Sequence, residues 1–237
     1  MKVIARNKVR KFVSLVAAVM LTVSVFGQAT TGGDQMPSSG PVYTFFPYVP
    51  ELGGELIYPL SNYALRDNFG GVYSVHGSFQ RLLVNRLYAG IEVQDNQISV
   101  ATPVTFRVAI ATTNIFFNDV GAKLAYYSSE ASTWQFSCSV TVGESWLTFT
   151  KMPDTLKAPP GGFGKQAIFF CGRIFEGYKV NDELRIGLEV TYSYYNYTFD
   201  PAYVGVSTEY SSAQKSGGTS FIGWGFGLHY FLGKPQH

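Results

Sequence analysis

From about residue 50 onward the chain alternates large apolar residues with small or polar ones, the period of an extended strand whose two faces differ. In ELRIGLEVTYSY, Leu184, Ile186, Leu188, Val190, Tyr192 and Tyr194 share one face, while Glu183, Arg185, Gly187, Glu189, Thr191 and Ser193 share the other. FIGWGFGLHYFL repeats the pattern, with Ile222, Trp224, Phe226, Leu228 and Tyr230 set against Gly223, Gly225, Gly227 and His229. TWQFSCSVTVG does so again, with Trp134, Phe136, Cys138, Val140 and Val142 against Gln135, Ser137, Ser139, Thr141 and Gly143. Together with weaker stretches, the pattern predicts eight strands near 51–60, 71–82, 86–97, 116–128, 133–149, 165–178, 183–198 and 219–232.

The connections between these strands sort by parity. Those after the second, fourth and sixth strands are short (LVN, SEAS, KVND); those after the first, third, fifth and seventh are long, such as KMPDTLKAPPGGFG. Short turns at one end and long loops at the other belong to an up-and-down barrel threaded through a membrane. The strand count, the loop parity and the closing strand FIGWGFGLHYFL resemble those of the small eight-stranded outer-membrane barrels of Gram-negative bacteria, the OmpA-barrel and OmpX-like, porin-like group. The resemblance covers roughly residues 51–232 and implies an all-β, eight-stranded antiparallel transmembrane barrel in the bacterial outer membrane. It also implies a terminal aromatic read by the barrel-insertion machinery, a role for Tyr230 or Phe231; the GKPQH tail is a departure from that pattern.

In such a barrel the apolar row meets lipid and the polar row fills the interior. Leu184, Ile186, Leu188, Val190, Ile222, Trp224, Phe226 and Leu228 are therefore expected to face lipid. Glu55, His76, Glu92, Lys123, Arg173, Arg185, Glu189 and His229 are expected inside, along with Gln80. Eight strands enclose only enough space for side chains. Charges there must pair, which predicts that Lys123, Arg173 and Arg185 meet Glu55, Glu92 and Glu189. Aromatics near the strand ends, namely Tyr58, Tyr73, Trp146, Tyr194, Tyr195 and Tyr197, are expected in the interfacial girdle.

The ends refine this picture. MKVIARNKVRK followed by the 15-residue run FVSLVAAVMLTVSVF reads as a secretory signal peptide over 1–27, with Val25 and Gly27 at the cleavage-site positions. Residues 28–50, rich in Pro, Gly and Ser, read as a flexible N-terminal segment, with the barrel over 51–237. Removal of the leader leaves 13 Lys+Arg against 16 Asp+Glu, a net charge of −3. That balance offers no basic face for nucleic acid. Only 14% of residues are charged and 16% are aromatic, yet no later apolar run reaches the ~20 residues of a membrane helix.

Candidate chemistry is sparse. The glycines of GWGFG precede no helix that could receive a phosphate, and they read as small residues giving larger lumen neighbours room. The histidines have no metal-ligand spacing, so neither metal nor cofactor is expected. Cys138 and Cys171 fall on opposite faces, which argues against a disulfide despite an oxidising compartment. His76 with Ser74 or Ser78 is the only local catalytic candidate, and polar residues on a lumen face need no catalytic explanation, so no enzyme is expected. The reading is an integral outer-membrane barrel with a closed, charge-paired lumen, structural or binding in role through its long extracellular loops. One alternative is an accessory subunit of an outer-membrane secretion or assembly complex, docked through VYTFFPYVP. Another is a secreted, soluble lipocalin-like barrel with Leu184, Ile186, Leu188, Val190 and Trp224 lining an apolar cavity.

Overall fold

The computed structural model describes residues 45–62, 65–66, 69–100, 114–128, 133–150, 164–199, 211 and 217–233. The expected signal peptide and residues 28–44 lie outside the described residues, as does most of the three longest connections. Eight strands form: β1 Tyr48–Pro59, β2 Phe69–Val84, β3 Leu87–Val100, β4 Asn114–Tyr127, β5 Trp134–Thr150, β6 Gly164–Lys179, β7 Leu184–Tyr195 and β8 Thr219–Tyr230. Each pairs antiparallel with its sequence neighbours, and β8 returns to β1 to close the barrel. All eight expected strands are present. β1 begins at Tyr48, earlier than the pattern suggested, because Pro50 interrupts the alternation yet still pairs with Phe79 of β2.

Around the ring, paired residues lead from Tyr48 through Arg81, Ala89, Leu124, Val140, Gly172, Tyr192 and Ile222 back to Tyr58. The sheet is thus staggered by ten residues, from position 48 to position 58, on closing. With strands ~4.7 Å apart and ~3.3 Å of rise per residue, that stagger tilts the strands by roughly 40°. Closure leaves no sheet edge for lipid to meet. At the short end, β2 turns into β3 through Asn85, whose φ of 49° lies in the left-handed region that Asn tolerates. The turn from β6 to β7 is built on Asn181, whose Oδ1 accepts the backbone N–H of Glu183 and of Leu184 at 2.8 Å each.

The outer surface is apolar. Trp224 is 56% exposed, Phe226 68%, Leu188 60% and Val190 50%, and Ile186, Ile222 and Leu228 join them; Leu184, at the turn end, is partly covered. Exposed aromatics rim the band: Tyr48, Trp134, Tyr178 and Tyr230 toward the turn end, Tyr58, Tyr73, Trp146 and Tyr194 toward the loop end. This is a transmembrane β-barrel, apolar outside and packed inside. Tyr195 and Tyr197 depart from the expected girdle, since both are buried in the lumen with opposite parity to Tyr194.

The interior is not polar throughout. At the loop end Ile57, Leu65, Phe69, Ile98, Phe117, Leu147, Phe169, Tyr195 and Phe221 pack into one apolar cluster. At the turn end Val49, Tyr88, Ala125, Tyr127 and Phe231 form a second, with Phe46 and Leu82 against it. Between the two clusters lies the charged middle. The expectation of a wholly polar interior fails at both ends, where apolar residues on both faces erase the alternation. In NIFFND, Ile115 and Phe117 turn inward and Phe116 outward; in AIFFCG, Phe169 turns inward between outward Ile168 and Phe170. Replacing lipid-facing Val190 with Arg should destabilise the barrel by about 2–4 kcal/mol, whereas Val190→Leu should be nearly neutral. Urea titration of barrels folded into vesicles checks both.

Candidate functional site

Alternation puts charged, polar and small residues on the lumen along the middle tier, and closure brings those of all eight strands to one axis. The result is a belt of buried ions. Lys123 of β4 donates to Glu92 of β3 at 2.8 Å and to Glu51 of β1, with Ser78 of β2 at 3.4 Å. Arg173 of β6 donates through Nη1 to Glu92 at 2.6 Å and through Nε to Glu55 at 3.3 Å. The same Glu92 oxygen, Oε2, therefore ties both cations together. Glu51 is further held by the hydroxyls of Tyr127 and, at 2.7 Å, Ser78; Glu55 accepts from Thr191 at 2.6 Å.

Glu189 of β7 has an imidazole on each side. His76 Nε2 is 3.4 Å from its Oε2, and His229 Nε2 is 3.7 Å from its Oε1. His76 also faces Glu55 at 3.7 Å through Nδ1, and His229 faces Glu51 at 3.5 Å. The His229 ring stacks on Phe175, centroids 3.6 Å apart. Above this belt Asp119 is held by neutral donors: the Tyr195 hydroxyl at 2.6 Å and the Asn96 amide at 2.9 Å.

All eight expected lumen residues are buried inside the barrel: Glu55, His76, Glu92, Lys123, Arg173, Arg185, Glu189 and His229. Seven of them join the belt. Arg185 sits lower, its Nη1 donating to the backbone carbonyls of Asn181 at 2.5 Å, Leu184 at 3.2 Å and Asp182 at 3.3 Å, with its guanidinium over the Phe231 ring at 5.4 Å. It was expected to meet a glutamate; its place at the mouth of the barrel lets it cap the β6–β7 turn. Glu51, Asp119, Asn96, Tyr127 and Tyr195 are participants that the sequence reading missed. Glu51 shares parity with Glu55, and Asp119 and Tyr127 share it with Lys123, so extension of the period would have found them. Of the two terminal aromatics, Tyr230 points outward and Phe231 inward, against Tyr127 and Phe46.

His76 makes no hydrogen bond to Ser74 or Ser78, and all three are buried in mid-barrel. This arrangement offers no approach to a nucleophile. Cys138 is partly exposed on the outer row and Cys171 is buried in the lumen, and no disulfide joins them.

The outer wall is uneven around the ring. On β7, β8 and β1 it stays apolar up to Tyr194, Ile222 and Tyr58, close to where those strands end. On β3, β4 and β5 the apolar row is interrupted after Val93, Val120 and Val142 by Asp95, Asn118 and Glu144 on the outward side, and Phe116 and Trp146 resume it beyond the last two. Beyond Val93, Val120 and Val142 those strands run on for seven, six and eight residues, ~20–26 Å of strand.

No protein-family model and no curated protein sequence matches the chain. Among solved structures, it is similar to Neisserial surface protein A at 11% identity, over 78% of this chain and 97% of that one, with a TM-score of 0.48. It is similar to Ail, the attachment invasion locus protein of Yersinia pestis, solved with the heparin analogue sucrose octasulfate, at 11% identity over 78% of this chain and 98% of that one, TM-score 0.42. The outer membrane protein OprG of Pseudomonas aeruginosa gives 12% identity over 80% and 98% of the two chains, TM-score 0.40.

Replacing Lys123 with Met strands Glu51 and Glu92 against a single remaining cation, and should cost about 3–5 kcal/mol of stability. Asp119→Asn, which keeps neutral partners, should cost no more than about 1–2 kcal/mol. Equilibrium unfolding of the two variants beside wild type, under one set of lipid and buffer conditions, measures the difference.

Proposed function

We propose that this chain is an integral protein of the bacterial outer membrane, neither an enzyme nor a pore, whose work is binding or structural and is done by its loop end. The observation that carries this reading is the reversal of polarity: ions inside, a continuous apolar band outside. A soluble ligand-binding barrel needs Leu184, Ile186, Leu188, Val190 and Trp224 to line a cavity, and these residues lie on the outer face. A pore needs an open axis. Here apolar clusters close both ends and a paired belt fills the middle.

With the interior packed, recognition is left to the exterior. The segment 101–113 joins β3 to β4 and 151–163 joins β5 to β6, so the β3–β5 sector, where the outer row turns polar, carries two of the long connections. We assign this sector as the recognition face, with Asp95, Asn118 and Glu144 at its base. In biogenesis, Tyr230 is the terminal aromatic that we assign to the insertion machinery; Phe231, turned inward, is a seal. A role as accessory subunit of a larger secretion or assembly complex has less support. Of its suggested docking segment, Tyr48–Pro50 belong to β1 and Phe46 packs on the protein's own Phe231, rings 5.8 Å apart.

The protein should fractionate with outer membranes, resist carbonate extraction and migrate faster on gels when unheated. Epitope tags placed within 101–113 or 151–163 should be labelled on intact cells. Planar bilayers should show no discrete conductance. A mature chain that stays soluble in periplasm or medium without detergent would sink the reading.

A further inference from the structure

One triad in the belt holds two residues left without the hydrogen bonds that their chemistry demands. Glu55 of β1, His76 of β2 and Glu189 of β7 offer one donor atom each within 4.8 Å of one another. Neither ring nitrogen of His76 and neither carboxylate oxygen of Glu189 has a hydrogen-bond partner, and both residues are 1% exposed. Buried polar atoms are ordinarily satisfied, and unsatisfied ones on two facing side chains, with His76 Nε2 turned to Glu189 Oε2, leave room for a ligand between them.

The charge balance says which kind. Among the groups in contact, four carboxylates (Glu51, Glu55, Glu92 and Glu189) face two permanent cations, Lys123 and Arg173. Counted over these permanent charges, the belt carries two more negative charges than positive ones in a sealed interior. One divalent cation cancels the difference. One pair of the triad has the spacing of two ligands, which at ~2.0–2.1 Å from a tetrahedral ion stand about 3.4 Å apart. His76 Nε2 and Glu189 Oε2 stand 3.4 Å apart.

The backbone also makes room. A Cβ on Gly53 would collide with His76 and Glu189, one on Gly223 with Glu55, and one on Gly227 with Glu189. Three lumen glycines on β1 and β8 thus border the triad, which explains a part of the GWGFG pattern that turn chemistry does not.

We propose that Glu55, His76 and Glu189 bind a divalent first-row transition cation, with Zn2+ as the type ion, inside the barrel. One imidazole nitrogen and two carboxylate oxygens form a donor set suited to it. The ion draws β1, β2 and β7 together across the lumen. Because both ends are sealed, it enters as the barrel folds and exchanges slowly afterwards.

The test uses the full-length protein, extracted in detergent from membranes without chelator, and is read independently of any loop partner. Elemental analysis should find about one equivalent of metal per barrel, held through EDTA dialysis of the folded form and released on heat unfolding. His76→Gln and Glu189→Gln should each lose it. Zn2+ supplied during refolding should raise the temperature at which wild type loses its fast-migrating gel form, and should leave His76→Gln unmoved. Should the variants fail to fold, the metal content and the Zn2+ shift of wild type still decide the matter. A metal-free native barrel that is indifferent to Zn2+ overturns the proposal.

Discussion

Closure of eight strands with a stagger of ten residues governs the rest of this structure. It pairs the backbone of the wall all the way round, which makes a lipid surface tolerable, and it fixes an interior too narrow for bulk water. Every lumen side chain must then find its partners among the others. A charge placed on the inner row of any strand obliges an opposite charge on another, at a matching height. Glu92, shared by Lys123 and Arg173, shows this economy at its tightest: strands β3, β4 and β6 are linked through one carboxylate oxygen. Breaking such a set is costly because whichever ion remains is left in a medium that cannot solvate it.

The same narrowness explains the tiers. An interior filled only with ions would multiply desolvation costs over the whole length of the barrel. Confining the charges to the middle and closing both mouths with aromatic and aliphatic packing limits that cost to one layer and shields it from solvent. The seals use segments from outside the strands as well: the backbone carbonyl of Phe46 accepts the Tyr88 hydroxyl at 2.9 Å, and Leu65 joins the loop-end cluster.

Strand number, order and the faces of the middle tier were legible in the sequence because period-two alternation survives wherever the two faces differ in polarity. Leu184–Tyr194 is the clear example, and the opposite faces of Cys138 and Cys171 followed from the same count. The ends were not legible, for the reason that the faces there are alike. Nothing in IFF or FF tells a lipid-facing Phe170 from a lumen-facing Phe169. Tyr195 and Tyr197 were misplaced because aromatics suit both a girdle and a seal. Partner choice in the belt was beyond reach too. Parity places Arg185 on the lumen row, but its height at the mouth comes from the stagger, which only the three-dimensional register reveals.

The stagger also bears on where recognition can occur. A tilted barrel with strands of equal length would meet the membrane surface evenly. Here β7, β8 and β1 end close to the apolar limit, while β3, β4 and β5 turn Asp95, Asn118 and Glu144 outward before they end. Hydrocarbon disfavours those three side chains, and outward Trp146, paired with Asn118, suits the interface beside them, so the membrane boundary in that sector runs close to their level. The sheet above it is held by the same ladder hydrogen bonds as the wall beneath, which makes it a rigid mount. Loops anchored on such a mount keep a fixed geometry at lower entropic cost than loops rising from the membrane surface. A barrel whose interior is given over to internal pairing can in this way still present a defined external face.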